Sequence, residues 1–411
     1  MGILVIVIGL ALSIGLHEFG HLIPAKLFGV KVPVWAIGFG PKLFSKKIGE
    51  TEYSFRLIPL GGYITMIGMY PPDRKGKDST RRFGSLIAQA REAHSEHMVE
   101  GDAGVRTLYS LPAWKRIIIM FGGPFVNLVL GLSILTGVFV SVGTPQQTTS
   151  VDKVIACVEA MNQGSCENST KPTPAASAEL MAGDTIVAMA GKPVANYAEL
   201  QAQLTSSNAA VLVQIDRNGV LLEKLLPAVW ADLPYQDPET GKVTTKSVRI
   251  IGVSFAVVQV PAGIGESFAR SGDMVTGTFN LIGTFPQQVY STLSSLVTGS
   301  ERDPAGAVSI LGVAQASTQV DSWAYWFYLI GALNIALFVF NMIPLPPLDG
   351  GHIAGGIYEY LKRGAYRVLG KKDPGPVDTA LMAPIAQFMF LLLLAAGLLM
   401  IVADAVNPIR F

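Results

Sequence analysis

His17-Glu18-Phe19-Gly20-His21 follows directly on the first apolar run of the chain, Gly2 to Leu16, and reads H-E-x-x-H. On a helix, positions i and i+4 share a face, so both histidines can turn an imidazole toward one zinc ion. Glu18 is one residue along and can reach a water activated by that ion as general base. Two histidines and a glutamate in an apolar helix carry a desolvation cost. For a charged side chain at the bilayer centre that cost is roughly 2.5–3.5 kcal/mol on insertion scales, so such groups come with a partner or a task. The competing reading is a chance match in which these groups face a polar bundle interior.

The surrounding composition sets the context. Of 411 residues, 50% are apolar and 15% charged, which points to a multi-pass membrane protein rather than an ordinary soluble one. Four apolar runs can each supply the ~20 residues a spanning helix requires: 1–28, 117–143, 322–348 and 379–403. No Lys or Arg precedes the first run and no small-residue cleavage site follows it, so a secretory signal peptide is not expected. The net charge of +1 gives no footprint for nucleic acid, and no nucleic-acid partner is expected.

Zinc needs a third protein ligand. In Asn341-Met342-Ile343-Pro344-Leu345-Pro346-Pro347-Leu348-Asp349-Gly350-Gly351, three prolines in four positions cannot continue a helix. Irregular backbone at membrane depth is tolerated only where protein or a water-filled cavity surrounds it. Asp349 is therefore expected in a buried, irregular turn with glycines behind it. The alternative is a helix ending at the membrane surface with Asp349 as the N-cap of the next element.

H-E-F-G-H in the first apolar segment, Gly122-Gly123-Pro124-Phe125-Val126-Asn127 in the second and N-x-x-P-x-P-x-L-D-G in the third appear in the order of one family's motifs. The chain resembles the site-2 proteases, intramembrane zinc metalloproteases, and within them the bacterial regulator-of-sigma-E branch. The resemblance implies one Zn2+ held by His17, His21 and Asp349, with Glu18 as catalytic base. It implies that Asn341 helps hold the substrate or the transition state, and that Asn127 faces the site. It also implies a single-pass membrane substrate trimmed beforehand by another protease, often an anti-sigma factor.

The fold expected is a polytopic α-helical membrane protein with four transmembrane helices, a membrane-associated β-loop over 29–72 and an inserted extracytoplasmic PDZ domain of α+β type over 146–258. Residues 30–72 alternate in a way that suits short strands and turns, and a soluble β-hairpin is the competing reading. A helical substrate hides its backbone, so an exposed strand edge could hold an unwound segment by β-augmentation. Gly61, Gly62, Tyr63 and Ile64, within the stretch ending at Met66, are the candidates for that edge.

Within 146–258, Ala182–Val194 reads as strand, turn and strand, Asn196–Leu204 as a short helix, and Val211–Arg217 with Val220–Leu226 as a hairpin around Asn218-Gly219. A peptide C-terminus at this PDZ-like module, a size filter and a purely structural role all remain open. Cys157 and Cys166 are the only cysteines and could form a disulfide or stay as two thiols. Met274–Leu296, in the post-PDZ region 259–321, suits an amphipathic helix on the outer membrane surface. His94 and His97, near Glu92 and Glu96 in the connection 73–116, fit a solvated helical face better than a metal site.

Basic residues suggest the orientation. Residues 24–116 carry 15 Lys and Arg against 8 Asp and Glu, and 145–321 carry 10 against 16. The short loop expected at 349–378 adds Lys362, Arg363, Arg367, Lys371 and Lys372. The positive-inside rule places 24–116 and 349–378 in the cytoplasm of a bacterial plasma membrane and the middle domain outside. A metal-binding transporter and a non-catalytic membrane adaptor are the rival classes. A transporter predicts polar residues along all four helices, and the second and fourth are nearly uniformly apolar. An adaptor gives Glu18 no reason to stand beside two potential ligands.

Overall fold

The computed structural model describes residues 1–73, 83–95, 105–158, 166, 171–206, 209–236, 243–300, 302, 306, 308–320 and 322–408. His97 and Glu96 lie outside these residues, as do residues 74–82 and 96–104 of the expected 73–116 connection. The chain divides into two compact units, residues 1–140 with 263–411, and residues 141–262.

The first unit carries the helices. Helix α1 spans Gly2–Leu27, and two strands follow, β1 Val34–Ile48 and β2 Thr51–Thr65. Helix α2 spans Gly84–Ser95 and α3 Ala113–Ser141. Among the described residues, four helices are long and apolar enough to cross a membrane: α1, α3, a segment over Trp323–Asn341 and a segment over Thr379–Val406. The second and third are shifted from the expected 117–143 and 322–348. Lys115 and Arg116 join the second because a helix end tolerates charge, and the third stops at Asn341, ahead of the prolines.

Small residues and one polar bridge set the packing of α1. A Cβ on Gly20 or on Gly122 would run into the other residue's backbone carbonyl, so α1 and α3 cross with their main chains in contact. Asn334 Nδ2–H donates to Ser13 Oγ at 2.9 Å, tying the Trp323–Asn341 helix to α1 one turn ahead of His17. Bonds of this kind average about 0.6 kcal/mol in membrane interiors, so they set register more than stability.

Strands β1 and β2 fold back on each other. Val34–Ile37 lies between Glu52–Phe55 on one side and Gly62–Thr65 on the other, while Phe44–Ile48 pairs with Thr51–Phe55. Gly62–Thr65 is thus an edge, with no further strand paired to it among the described residues. The sheet is pinned to α1 by Phe19, whose ring centre lies 4.6 Å from that of Trp35 at a tilt of 44°, and by Ile37, which packs where a side chain on Gly15 would sit.

The second unit is a sheet with short helices. Its elements are β3 Thr144–Val154, α4 Pro174–Ser177, β4 Thr185–Met189, β5 Lys192–Pro193, α5 Tyr197–Ser206, β6 Val211–Arg217, β7 Val220–Leu226, β8 Val229–Gln236, β9 Val243–Ile250 and β10 Val253–Val260. The order is β10-β3-β4-β6-β7 with β5 on β4, and β8-β9 form a separate ribbon. Asn218 and Gly219 both take positive φ, 55° and 83°, which a two-residue turn matched to strand twist requires. Ile186, Met189, Leu200, Val213 and Ile215 fill the core between sheet and α5. Cys157 and Cys166 are joined as a disulfide, with an S–S distance of 1.93 Å.

Back in the first unit, α6 Ile264–Thr298 is one helix, longer at both ends than the expected Met274–Leu296. Its Phe279 and Phe285 rings meet Phe338 and Phe340 of α8, the Trp323–Asn341 helix. Helix α7, Ile310–Gln319, precedes α8. The expected loop at 349–378 is largely a helix, α9 Asp349–Val368. Gly350, Ile353, Gly356 and Glu359 recur every third residue and make its buried face, a period obscured in the sequence by glycine and charge. The last span ends in α10, Ala383–Val406.

Candidate metal centre

Three elements meet at the H-E-x-x-H stretch. Helix α1 carries His17 and His21 one turn apart, α3 passes against them, and the N-terminus of α9 brings Asp349 from the far end of the sequence. The polypeptide turns through Met342–Leu348, with its prolines, between α8 and α9. Asp349 is the first residue of α9 and Leu348 its N-cap, so the carboxylate opens a helix instead of lying in the irregular turn expected for it. The turn packs so closely on α9 that a Cβ at Gly351 would lie 2.5 Å from Pro346 N.

His17, His21 and Asp349 each offer a ligand atom, and these atoms all lie within 4.8 Å of one another. Asp349 Oδ2 is 3.3 Å from His17 Nε2 and 3.4 Å from His21 Nε2, and the two Nε2 atoms are 3.2 Å apart. Asp349 Oδ2 is buried and takes part in no hydrogen bond. His21 Nδ1–H donates to the Ile119 carbonyl at 2.7 Å, and a carbonyl only accepts, so the proton sits on Nδ1 and the Nε2 lone pair faces the cluster.

These features fit zinc. Ligands about 2.0–2.1 Å from a tetrahedral ion stand roughly 3.3 Å from each other, the spacing of these three atoms. The donor set of two imidazoles and a carboxylate suits Zn2+ and leaves a coordination position open, as catalytic zinc requires. Space for the ion exists because residue 123 is glycine. A Cβ there would press on His21 Nε2 and lie 2.8 Å from His17 Cε1.

Glu18 is 8% exposed and points from α1 toward β2, where a Cβ on Gly62 would lie 3.1 Å from its Cγ. The strand edge Gly62–Thr65 therefore runs beside the glutamate. Tyr63 and Ile64 belong to that edge, and Gly61, at φ 99°, leads into it. Asn341 ends α8 half-buried and enters none of the hydrogen bonds that join the histidines. His352 lies in the first turn of α9. Asn127, 1% exposed, places its amide nitrogen 3.0 Å from His17 Nδ1.

Sequence reasoning missed Ile119, and took Gly123 only as part of the Gly122–Asn127 motif without its role in making space. Its one available signal was spacing: Ile119, Gly123 and Asn127 stand at i, i+4 and i+8 and so share one stripe of α3, opposite the i, i+4 pair of histidines.

Four membrane-length helices among the described residues, with a buried cluster of two histidines and an aspartate on α1 and at the start of α9 and a glutamate beside it, define a membrane metallopeptidase. The comparisons with known proteins agree, and the chain belongs to peptidase family M50, whose model matches residues 5–371. It is similar to zinc metalloprotease Rip1 of Mycobacterium tuberculosis (strain H37Rv), at 30% identity over 422 residues, covering 100% of this chain and 98% of the relative. Rip1 of Mycolicibacterium smegmatis is 29% identical over 431 residues with the same coverage. The chain is thus a zinc metalloprotease of the site-2 protease family and a membrane protein.

Proposed function

We propose that the protein cleaves a peptide bond within the transmembrane segment of a pre-trimmed single-pass membrane protein. The observation that carries this reading is the ligand cluster of His17, His21 and Asp349 lying beside both Glu18 and an open strand edge. His17, His21 and Asp349 would hold one Zn2+, which polarises a carbonyl and acidifies water when bound. Glu18 takes the proton from the attacking water at its carboxylate. As the carbon–nitrogen bond breaks, Glu18 returns that proton to the leaving amine. Asn341 hydrogen-bonds the substrate backbone or the developing oxyanion.

The edge formed by Gly61, Gly62, Tyr63 and Ile64 holds the substrate as an unwound strand, exposing the backbone that a helix would hide. The balance of basic residues supports an active site toward the cytoplasm and the 141–262 unit outside. That unit is a single PDZ-type domain, a reading supported by its Gly183-Asp184-Thr185-Ile186 motif and the α5-on-sheet packing. It filters substrates by size or binds a newly cut C-terminus. An anti-sigma factor is the favoured substrate class, on the family resemblance.

The test is to incubate the purified protein with a trimmed single-pass substrate in detergent and map the products by mass spectrometry. A cut inside the apolar segment is expected. A cut confined to the soluble flanks would contradict intramembrane cleavage.

A further inference from the structure

The contact between Asn127 and His17 is chemically one-sided. The amide Nδ2 sits 3.0 Å from the ring Nδ1, while the amide Oδ1 is buried with no hydrogen-bond partner. An amide NH2 only donates. With the nitrogen placed there, His17 Nδ1 must accept, its proton moves to Nε2, and the ring then points an N–H at His21 Nε2 and Asp349 Oδ2. That tautomer closes the ring's donor position to a metal. Half a turn of the terminal amide exchanges oxygen and nitrogen, which occupy nearly the same volume. Oδ1 then accepts from Nδ1–H, the orphaned oxygen is satisfied, and His17 matches His21, whose Nδ1–H donates to Ile119.

We propose that Asn127 is a positioning residue for the metal site: its side-chain oxygen accepts the Nδ1–H of His17 and holds that ring in the tautomer whose Nε2 lone pair faces His21 and Asp349. Helix α3 thereby orients both histidines, through a main-chain carbonyl for one and a side-chain amide for the other. Both acceptors come from the single stripe that also carries Gly123, so one helix face provides the space for the ion and the orientation of its ligands. The proposal rests on the reading of His17 as a zinc ligand.

Removing a hydrogen-bond partner of this kind typically weakens metal affinity 10–100-fold. The experiment is chelator competition for zinc on the full-length protein in detergent, comparing wild type, Asn127→Leu, Asn127→Asp and His17→Ala, with unfolding temperatures of the metal-free forms. Asn127→Leu is expected to bind zinc 10–100-fold more weakly at an unchanged metal-free unfolding temperature. Asn127→Asp is expected to bind at least as tightly as wild type. A carboxylate can only accept, so it demands the same Nδ1–H, and it carries the test if the leucine variant does not fold. Wild-type affinity in Asn127→Leu, or equal weakening in both variants, overturns the proposal while His17→Ala still loses zinc. Retention of zinc by His17→Ala overturns the ligand assignment on which it rests.

Discussion

Gly123 has no side chain, yet the metal centre depends on that. A methyl group there would press on His21 Nε2 and crowd His17 Cε1, filling the space the ion needs. Gly123→Ala is expected to leave the protein folded with well under one zinc per chain, as read by elemental analysis after gel filtration. Zinc content equal to wild type would show that the ion lies elsewhere. At this scale the sequence was informative about chemistry and silent about support. H-E-x-x-H and the Leu-Asp-Gly stretch name the candidate donors because ligand type and helical spacing are local properties. The Ile119 carbonyl and the space at Gly123 depend on how α3 crosses α1, which no local spacing states.

The elements hold the donors in register through two devices. One is the crossing at Gly20 and Gly122, where the main chains touch. Gly122→Leu is expected to force α1 and α3 apart and abolish both zinc binding and cleavage, checked by metal content and a protease assay. The other is the packing of α9, which carries Asp349. Glu359 of α9 is 1% exposed and pairs with Arg116 at the start of α3 and with Arg363, and it accepts the Val377 N–H at 2.8 Å. Breaking a buried ion pair by removing one partner costs roughly 3–5 kcal/mol, because the other charge stays buried. Glu359→Ala is expected to lower stability by about that amount in thermal unfolding, and an unchanged unfolding temperature would contradict the role given to the pair. Helix α9 was illegible as a helix because its buried positions are two glycines, a glutamate and a single isoleucine, Ile353, too few apolar residues to show a period. The Asn218-Gly219 hairpin was legible to the residue, since the turn chemistry is contained in two adjacent side chains. The full length of α6 was not, since Gly265, Gly272 and charged or serine positions interrupt the apolar residues of its first turns.

On the scale of the whole molecule, the chain separates a unit with the membrane-length helices and the candidate metal cluster from a sheet unit of residues 141–262 with its own core. That second unit has its own pH dependence. Asp184 is buried and accepts from Arg217 Nε at 2.7 Å, Arg217 Nη2 at 2.8 Å and the Met181 N–H at 2.8 Å. The Arg217 hydrogen bonds hold its carboxyl below the usual carboxylate range. A lowered pKa in the folded state means the stabilisation is complete above the unfolded value, about 3.9, and is lost as pH falls through the folded value. The opening free energy of this unit, read by hydrogen exchange after correction for the intrinsic rate at each pH, is therefore expected to be flat near neutral pH and to fall below about pH 4, with Asp184→Asn removing that fall. The membrane-length helices among the described residues were legible from the apolar runs.

In the proposed mechanism Glu18 serves as the general base at a zinc site formed by His17, His21 and Asp349. Cleavage of one single-pass substrate by purified wild type and Glu18→Gln, with bound zinc counted in both, tests this. About one zinc per chain is expected in each, with a loss of about 10²–10⁴-fold in cleavage for Glu18→Gln. Cleavage by the variant at the wild-type rate, with zinc in place, would contradict this role.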